Sequence, residues 1–196
     1  MHAGTSWADG QWLNRPTQTR IDDDVLDVVT DRNTDFWRTT HYGFVRDSGH
    51  FLGFTSGECF SAQVRIRAQY AALYDQAGLM VRVDQARWVK AGIELSDGHA
   101  MLSSVLTNGL SDWATGLYQG DPSDFWMRAT VAGGVLRLQV SADGQHWPLV
   151  RLCSFPHAAS YQVGPMCCTP ERAGLQVRFS HWRLGPPLGK DLHDLS

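Results

Sequence analysis

Alternation of apolar and polar residues with a period of two over residues 74–95 constrains the fold most. The odd positions of 77–83 and 89–95 are apolar, whereas most even positions carry polar or amphipathic side chains. Successive side chains of a β-strand point to opposite faces, so each run predicts a strand with one core face and one polar face. The short break at 85–87 predicts that the two strands pair as a hairpin.

Similar short segments recur along the chain, and turn-forming Asn-Gly, Gly-Gly and Asp-Gly pairs separate several of them. No segment keeps the period of about 3.6 that marks an amphipathic helix. We predict strands near 25–30, 42–46, 50–54, 59–70, 74–84, 87–95, 100–107, 124–132, 135–141, 147–152, 161–168 and 174–184. So many strands in one domain predict an all-β fold, a two-sheet antiparallel β-sandwich of the jelly-roll kind.

The length of 196 residues suits one domain with a sizeable buried core. We predict a single β-sandwich domain over residues 1–184. Residues 185–196 contain Pro186, Pro187 and Gly189 and are predicted to form a flexible C-terminal tail.

Charge and cysteine content bound the expected partners and location. A net charge of −3 offers no excess of positive charge to nucleic acid or anionic lipid. No apolar run reaches the length of a membrane span, and Met1 to Gly10 lack the apolar core of a secretory signal. The four cysteines match no zinc-binding spacing, which favours free thiols. The sequence therefore predicts a cytoplasmic protein that binds neither nucleic acid nor membrane.

Pairing of the two alternating runs predicts a shared polar sheet face that bears aromatic and charged groups. The strand predicted over 124–132 can add two more residues to it. The expected ligand-binding residues are Gln76, Arg82, Trp88, Lys90, Glu94, Trp126 and Arg128. Aromatic rings stack on sugars while charged and amide groups orient them, so this face predicts binding of a carbohydrate or small polar ligand. The alternative is structural, since cross-strand charges such as Lys90 and Glu94 often pair without function.

Five blocks of sequence resemble one known family. They are TDFWR at 34–38, YDQAGLMVR at 74–82, WVKAGIE at 88–94, TNGLSDW at 107–113 and YQVGPM at 161–166. Together they resemble the regulation-of-enolase family, domains of unknown function within the concanavalin A-like lectin/glucanase superfamily. The resemblance runs in order from Trp12 to Trp182 and implies a two-sheet jelly roll with a concave face. It implies no reaction, although one member's name suggests an influence on a glycolytic enzyme.

Catalysis is not predicted from the carboxylates. Glucanases of this superfamily carry a Glu-x-Asp-x-x-Glu strand motif, which is absent here. Glycosidases need two carboxyl groups flanking one bond, about 5 Å apart for retention and farther apart for inversion. Glu94 is the weak catalytic candidate, and Asp35, Asp75 and Asp112 are the other carboxylates considered. Alternation places Asp75 on the face opposite Glu94, which weakens that pair.

No cofactor and no metal site is predicted. His41 and His50 flank a turn and could approach each other, but no third ligand is identifiable. Three hypotheses follow. The first is a binding module for a sugar or sugar phosphate, the second a regulatory protein whose partner is a metabolic enzyme, and the third a glycoside-active enzyme without the usual glucanase motif.

Overall fold

A computed structural model describes residues 5–196 of the chain; residues 1–4, with which the predicted domain begins, lie outside the described residues. Across the described part, antiparallel strands form two seven-stranded sheets and one two-stranded hairpin. This is the two-sheet β-sandwich that the sequence predicts, so the predicted fold class is confirmed. No helix among residues 5–196 has the length and apolar character needed to cross a membrane.

Sheet A carries the strands of the first alternating runs. From edge to edge it consists of β1 (Gln11–Leu13), β6 (His50–Ser56), β15 (Tyr161–Cys168), β8 (Gln76–Asp84), β9 (Arg87–Ser96), β10 (His99–Asn108) and β11 (Leu110–Leu117). The predicted hairpin is β8–β9, in which Gln76 pairs with Glu94 and Arg82 with Trp88.

Sheet B packs against sheet A. From edge to edge it consists of β14 (Leu149–Ser154), β13 (Val135–Ser141), β12 (Asp124–Ala132), β7 (Phe60–Ala68), β16 (Gln176–Gly185), β3 (Val25–Val29) and β2 (Gln18–Asp22). The remaining hairpin joins β4 (Phe36–Arg38) and β5 (Val45–Asp47).

The main core lies between the two sheets and is built from the apolar positions of the alternating strands. Leu79 and Ile93 of sheet A and Phe125 and Met127 of sheet B are among its fully buried members. Burying each such side chain contributes roughly 1.5–3 kcal/mol. The face of each sheet that is turned away from this core is called its outer face below.

The strand β11 was not predicted from the sequence. It forms a regular ladder with β10 alone, and almost all of its residues are exposed, including Leu117 at 74%. An edge strand without a buried face has no need of alternation, so it carries little period-two signal. The short strands β1, β2 and β4 were missed for a similar reason, since three to five residues hold too little pattern to recognise.

A second, smaller core covers part of the outer face of sheet A. The β4–β5 hairpin lies over this face, and Phe36 is fully buried against Trp88, with ring centroids 6.1 Å apart. Met80 and Met166 belong to the same cluster. We call the segment 34–48, which contains this hairpin, the cover.

Of the residues 185–196 predicted as a flexible tail, Gly185 ends β16 and the segment 186–196 lies along the outer face of sheet B. The backbone N–H of Trp147 donates to the carbonyl of Leu195 at 2.8 Å, and the N–H of Leu188 donates to the Ser61 hydroxyl at 3.2 Å. Arg137 donates to the carbonyls of Lys190 and Asp191, each at 3.2 Å. The tail therefore has polar attachments to β7, β13 and the loop before β14.

Candidate functional site: an aromatic pocket on sheet A

Five of the predicted ligand-binding residues share the outer face of sheet A. Gln76 and Arg82 lie on β8, and Trp88, Lys90 and Glu94 lie on the adjacent β9. Alternation within the hairpin is enough to group them, because the side-chain period of a strand is two. The cover, however, leaves only part of this face accessible.

The placement predicted for Trp126 and Arg128 is wrong. Both lie on β12, which pairs with β7 and β13 in sheet B, so they face away from the sheet A residues. The Arg128 guanidinium stacks on the Trp147 ring at 3.7 Å, which makes it part of the packing of that other face. Alternation assigns a residue to one side of its own strand, but the sheet that contains the strand is decided by long-range pairing.

Trp88 and Arg82 are not available to a ligand in the way the sequence predicts. Trp88 is 0% exposed under the cover, so its ring stabilises the second core instead of stacking on a sugar. Arg82 forms a two-pronged ion pair with Asp47 of β5, at 2.8 and 2.9 Å. These two residues hold the cover in place.

A cavity of about 200 Å³ lies between the outer face of sheet A and the cover, whose segment 39–44 forms one side of it. This is smaller than the roughly 300–1,000 Å³ typical of sites for drug-sized ligands, so it suits a single ring or a group of similar size. Its lining residues are Asp35, Trp37, Tyr42, Phe44, Tyr74, Gln76, Lys90, Glu94, Val105, Trp113, Pro170 and Glu171.

Four aromatic side chains form a closed circuit around the cavity, which we call the aromatic box: Trp37, Tyr42, Tyr74 and Trp113. Trp37 contacts Tyr42 and Trp113 edge to face, with ring centroids 5.6 and 6.4 Å apart. Trp113 contacts Tyr74 at 6.4 Å with an angle of 75° between the rings. The hydroxyls of Tyr42 and Tyr74 close the circuit with a 3.1 Å hydrogen bond.

Local backbone conformation positions the wall formed by Trp37 and Tyr42. Thr39 and His41 have φ of 63° and 62°, in the left-handed region that non-glycine residues seldom adopt. The Trp37 indole donates to the carbonyl of Thr40 at 3.0 Å, which fixes the ring against its own turn. Strained residues of this kind cluster at functional sites, and here they turn Tyr42 back toward the sheet.

The opposite wall comes from two other parts of the chain. Tyr74 has φ of 62° and its N–H donates to the carbonyl of Leu95 at 2.7 Å, so the residue is tied to the end of β9. Trp113 lies on β11 opposite Val105, and its indole donates to the Ser103 hydroxyl at 3.0 Å. Trp113 is 37% exposed, so its ring is open to both cavity and solvent.

Two glycines, Gly78 and Gly92, lie at the floor of the pocket near the charged side chains of Lys90 and Glu94. Gly78 of β8 and Gly92 of β9 pair directly with each other, and a Cβ at either would collide with the backbone of the facing strand. Only glycine fits this close approach. Lys90 and Glu94, which flank Gly92 on the same face, therefore have no bulky side chain between them.

Lys90 forms the polar floor together with Asp35 of the cover. Its ammonium lies 3.0 Å from the Asp35 carboxylate, and its side chain is 5% exposed. Burial by itself lowers the pKa of Lys90, but the nearby Asp35 and Glu94 carboxylates outweigh it and the pKa is raised. Lys90 therefore remains charged, and its ion pair fastens the start of the cover to the sheet.

Glu94 lies on the same floor and is 5% exposed. Burial raises the pKa of Glu94 to about 7, and the Asp35 charge adds to this rise. The Lys90 ammonium and the Ser103 hydroxyl favour the charged carboxylate and oppose the rise. Glu94 lines the cavity and forms no direct ion pair within residues 5–196, whereas Lys90 is paired with Asp35. A buried carboxyl poised near neutral pH is typical of a functional site.

Tyr74 keeps its phenolic proton. The hydrogen bond to Tyr42, followed by burial and the nearby charges of Glu94 and Asp97, raises the pKa of Tyr74 to about 12. The pocket therefore offers hydroxyl groups, indole rings, one ammonium and carboxyl groups to a ligand.

The other carboxylates considered from the sequence have structural partners. Asp75 is fully buried and accepts from Arg172 at 2.9 Å. Asp112 pairs with Arg151 of β14 at 3.3 Å. Asp35 is the one that joins Glu94 in the pocket. No group of three His, Cys, Asp or Glu side chains that could hold a metal ion occurs within residues 5–196, and His50 instead bonds to the backbone of Asn14 and Asp31.

The aromatic walls were missed by the sequence reasoning, which selected Trp88 and Trp126. Two signals could have found them. Phe36, Trp37, Tyr42 and Phe44 form a dense aromatic group directly after Asp35. Tyr74 and Trp113 fall within blocks that carry the family resemblance, but Trp113 could not be assigned to a sheet face without β11.

The fold and its pocket define a two-sheet jelly-roll β-sandwich with a small cavity on the outer face of sheet A. A family described as "Protein of unknown function (DUF1349)" matches residues 12–187, and the chain belongs to this family. The resemblance predicted from the five sequence blocks is confirmed. The chain is 60% identical to Regulation of enolase protein 1 from Saccharomyces cerevisiae over 192 residues, which cover 98% of this chain and 97% of that protein.

Solved structures agree with this assignment. A functionally unknown protein from Saccharomyces cerevisiae is 59% identical, has a TM-score of 0.93 and covers 94% of this chain and 100% of its own. A mutant of the GH43 protein BlXynB from Bacillus licheniformis has a TM-score of 0.71 at 13% identity, over 94% of this chain and 38% of that one. Xylan beta-1,4-xylosidase from Bacillus halodurans C-125 has a TM-score of 0.63 at 11% identity, over 82% of this chain and 32% of that one. The similarity to the two bacterial proteins concerns the fold alone.

Proposed function

We propose that this protein binds a small polar ligand, a carbohydrate of about one ring, in the aromatic pocket. The observation that carries the proposal is the aromatic box closed around a cavity of about 200 Å³ with polar groups on its floor. Aromatic faces stack on the C–H faces of a sugar ring, and a few convergent polar groups then fix its orientation.

The ligand-contacting set in this proposal differs from the one predicted from the sequence. Gln76, Lys90 and Glu94 remain as hydrogen-bonding groups on the floor. The stacking surfaces come from the aromatic box instead of Trp88 and Trp126. Phe44, which stacks on Tyr42 at 5.4 Å, extends the wall toward solvent.

Titration calorimetry with neutral pentoses, hexoses and their short oligomers tests the proposal. We expect binding by the wild-type chain and a loss of about tenfold in affinity for Trp113→Ala, because one stacking face is removed. Trp126→Ala is the matched control, since it removes a tryptophan from the other sheet and should leave the affinity unchanged. Absence of heat with every sugar up to millimolar concentration contradicts the proposal.

A second candidate is regulation of a metabolic enzyme, favoured by the 60% identity to a protein named Regulation of enolase protein 1. Purified enolase flowed over the immobilised chain gives a direct test by surface plasmon resonance. We expect saturable binding if this function is shared, and no response above that of an unrelated β-sandwich if it is not. A cytoplasmic location, which enolase as partner requires, remains a prediction from the sequence.

A further inference from the structure

The charges around the cavity favour a cation. Asp35, Glu94 and Glu171 contribute three carboxyl groups to its lining, against one ammonium from Lys90. The Lys90 charge is already neutralised by Asp35 at 3.0 Å. The sign of the electrostatic potential in the cavity is therefore determined by Glu94 on the floor and Glu171 at the rim. A phosphate group in this cavity would face carboxylates without a free cation to receive it.

The walls of the cavity suit the same kind of ligand. Where the faces of several aromatic rings line one cavity, their negative π-surfaces attract an organic cation and repel an anion. The angles between neighbouring rings of the aromatic box are 73°, 90° and 75°. An aromatic cage with a carboxylate on its floor is the arrangement that recognises ammonium groups.

Glu94 gives the strongest reason to expect a positively charged ligand. Placing a carboxyl where it is 5% exposed costs free energy unless it is paired. The nearest ammonium, that of Lys90, is engaged with Asp35. A ligand cation in the box would supply a direct ion-pair partner, in addition to the more distant Lys90 charge and the Ser103 hydroxyl.

We propose that the ligand of the aromatic pocket carries a small organic cation, the ammonium group of an amino sugar or of an N-methylated amine, held by the aromatic box with Glu94 as its counter-ion. This rests on the proposed function, because it names the chemical class of ligand for the same pocket. It excludes the sugar phosphate expected from the sequence.

Calorimetry with charged and neutral pairs of the same shape tests the inference. One pair is choline and its uncharged carbon analogue 3,3-dimethylbutan-1-ol, and the other is glucosamine and glucose, all at about neutral pH. We expect each cation to bind about tenfold or more tightly than its neutral counterpart. The pair with the higher absolute affinity distinguishes a methylated amine from an amino sugar.

The Glu94→Gln variant separates the role of charge from that of shape. Glutamine keeps the size and hydrogen bonding of the side chain, so the fold is retained, and circular dichroism melts verify it. We expect the preference for the cation over its neutral counterpart to fall about tenfold, because the affinity for the cation drops by about that much more than the affinity for the neutral compound. Trp126→Ala, on the other sheet, should keep the wild-type preference.

The outcomes distinguish this inference from the proposed function. Neutral compounds that bind as tightly as the cations would overturn the cation inference. Binding of glucose in that case would still support the proposed sugar site. A cation preference that persists in Glu94→Gln would overturn the role of Glu94 as counter-ion. If choline binds and no sugar does, the carbohydrate of the proposed function is overturned while the cation inference stands; if no compound of either pair and no neutral sugar binds, both proposals fail.

Discussion

The outer faces of the two sheets carry similar residues and use them differently. On sheet A, Arg82 and Lys90 are nearly buried and pair with Asp47 and Asp35, which both belong to the cover. On sheet B the pairs lie between neighbouring strands and are more exposed, as in Arg178–Asp27 with side chains 52% and 35% accessible.

This difference shows that the ion pairs of sheet A perform a task that those of sheet B do not. Asp35 directly precedes β4 and Asp47 ends β5, so the two pairs fasten the cover to the sheet at both ends. The pocket exists because the cover is held in this way over the face and forms one of its walls. The ion pairs of sheet B lie along a face that no comparable hairpin within residues 5–196 covers. Three tests follow from this contrast.

The largest effect is expected from removing the apolar anchor of the cover. Phe36 is 0% exposed, so Phe36→Ala should lower the free energy of unfolding by about 3–5 kcal/mol. Urea unfolding followed by tryptophan fluorescence measures this. Leu152→Ala on the edge of sheet B, where the side chain is 46% exposed, should cost less than about 1 kcal/mol. Equal losses in the two variants would mean that the cover contributes no core.

The two faces should respond to pH with opposite sign. The pKa of Glu94 is raised from 4.5 to about 7, so the folded state binds the extra proton and stability falls as pH rises through this window, by about 3 kcal/mol. The charged or titratable groups around it are Lys90, Asp35, Tyr74 and Cys168. Glu94→Gln should remove this loss, and an unaltered pH slope in that variant would contradict the assignment.

Asp124 on sheet B provides the comparison for the pH test. Its bond to Arg65 holds the pKa of Asp124 below the usual value, so its contribution is present above about pH 4 and is lost as pH falls through its folded pKa. Asp124→Asn should therefore flatten the acid limb of the stability curve and leave the change near neutral pH intact. Denaturant titrations across the pH range separate the two.

The smallest of the three effects compares one ion pair from each face. Arg82→Ala leaves the Asp47 carboxylate, which is 19% accessible, without its partner and should cost about 2–3 kcal/mol. Arg178→Ala breaks an exposed pair and should cost no more than about 1 kcal/mol. Thermal melts at high and low salt should show that only the second loss is abolished by screening.

The sequence predicted the fold class and the membership of the β8–β9 face because both follow from local alternation. It could not predict that Trp126 lies in the other sheet, since β12 is assigned by pairing with β7, about sixty residues earlier in the chain. It also could not predict that Trp88 is covered. The cover contains two strands of three residues each, too short to show a period, and its position depends on ion pairs with residues far along the chain.

The aromatic box draws its walls from three separate parts of the chain, near residues 37–42, 74 and 113, and a fourth part, β9, adds Lys90 and Glu94 to its floor. Only the assembled sheet presents all of them together, so the unfolded chain has no affinity for whatever fills the box. A compound present at a hundred times its dissociation constant then raises the free energy of unfolding by about 2.7 kcal/mol. The melting temperature of the protein is thus a direct readout of occupancy, and a thermal-shift screen of small metabolites can find the natural ligand without a prior guess at its identity.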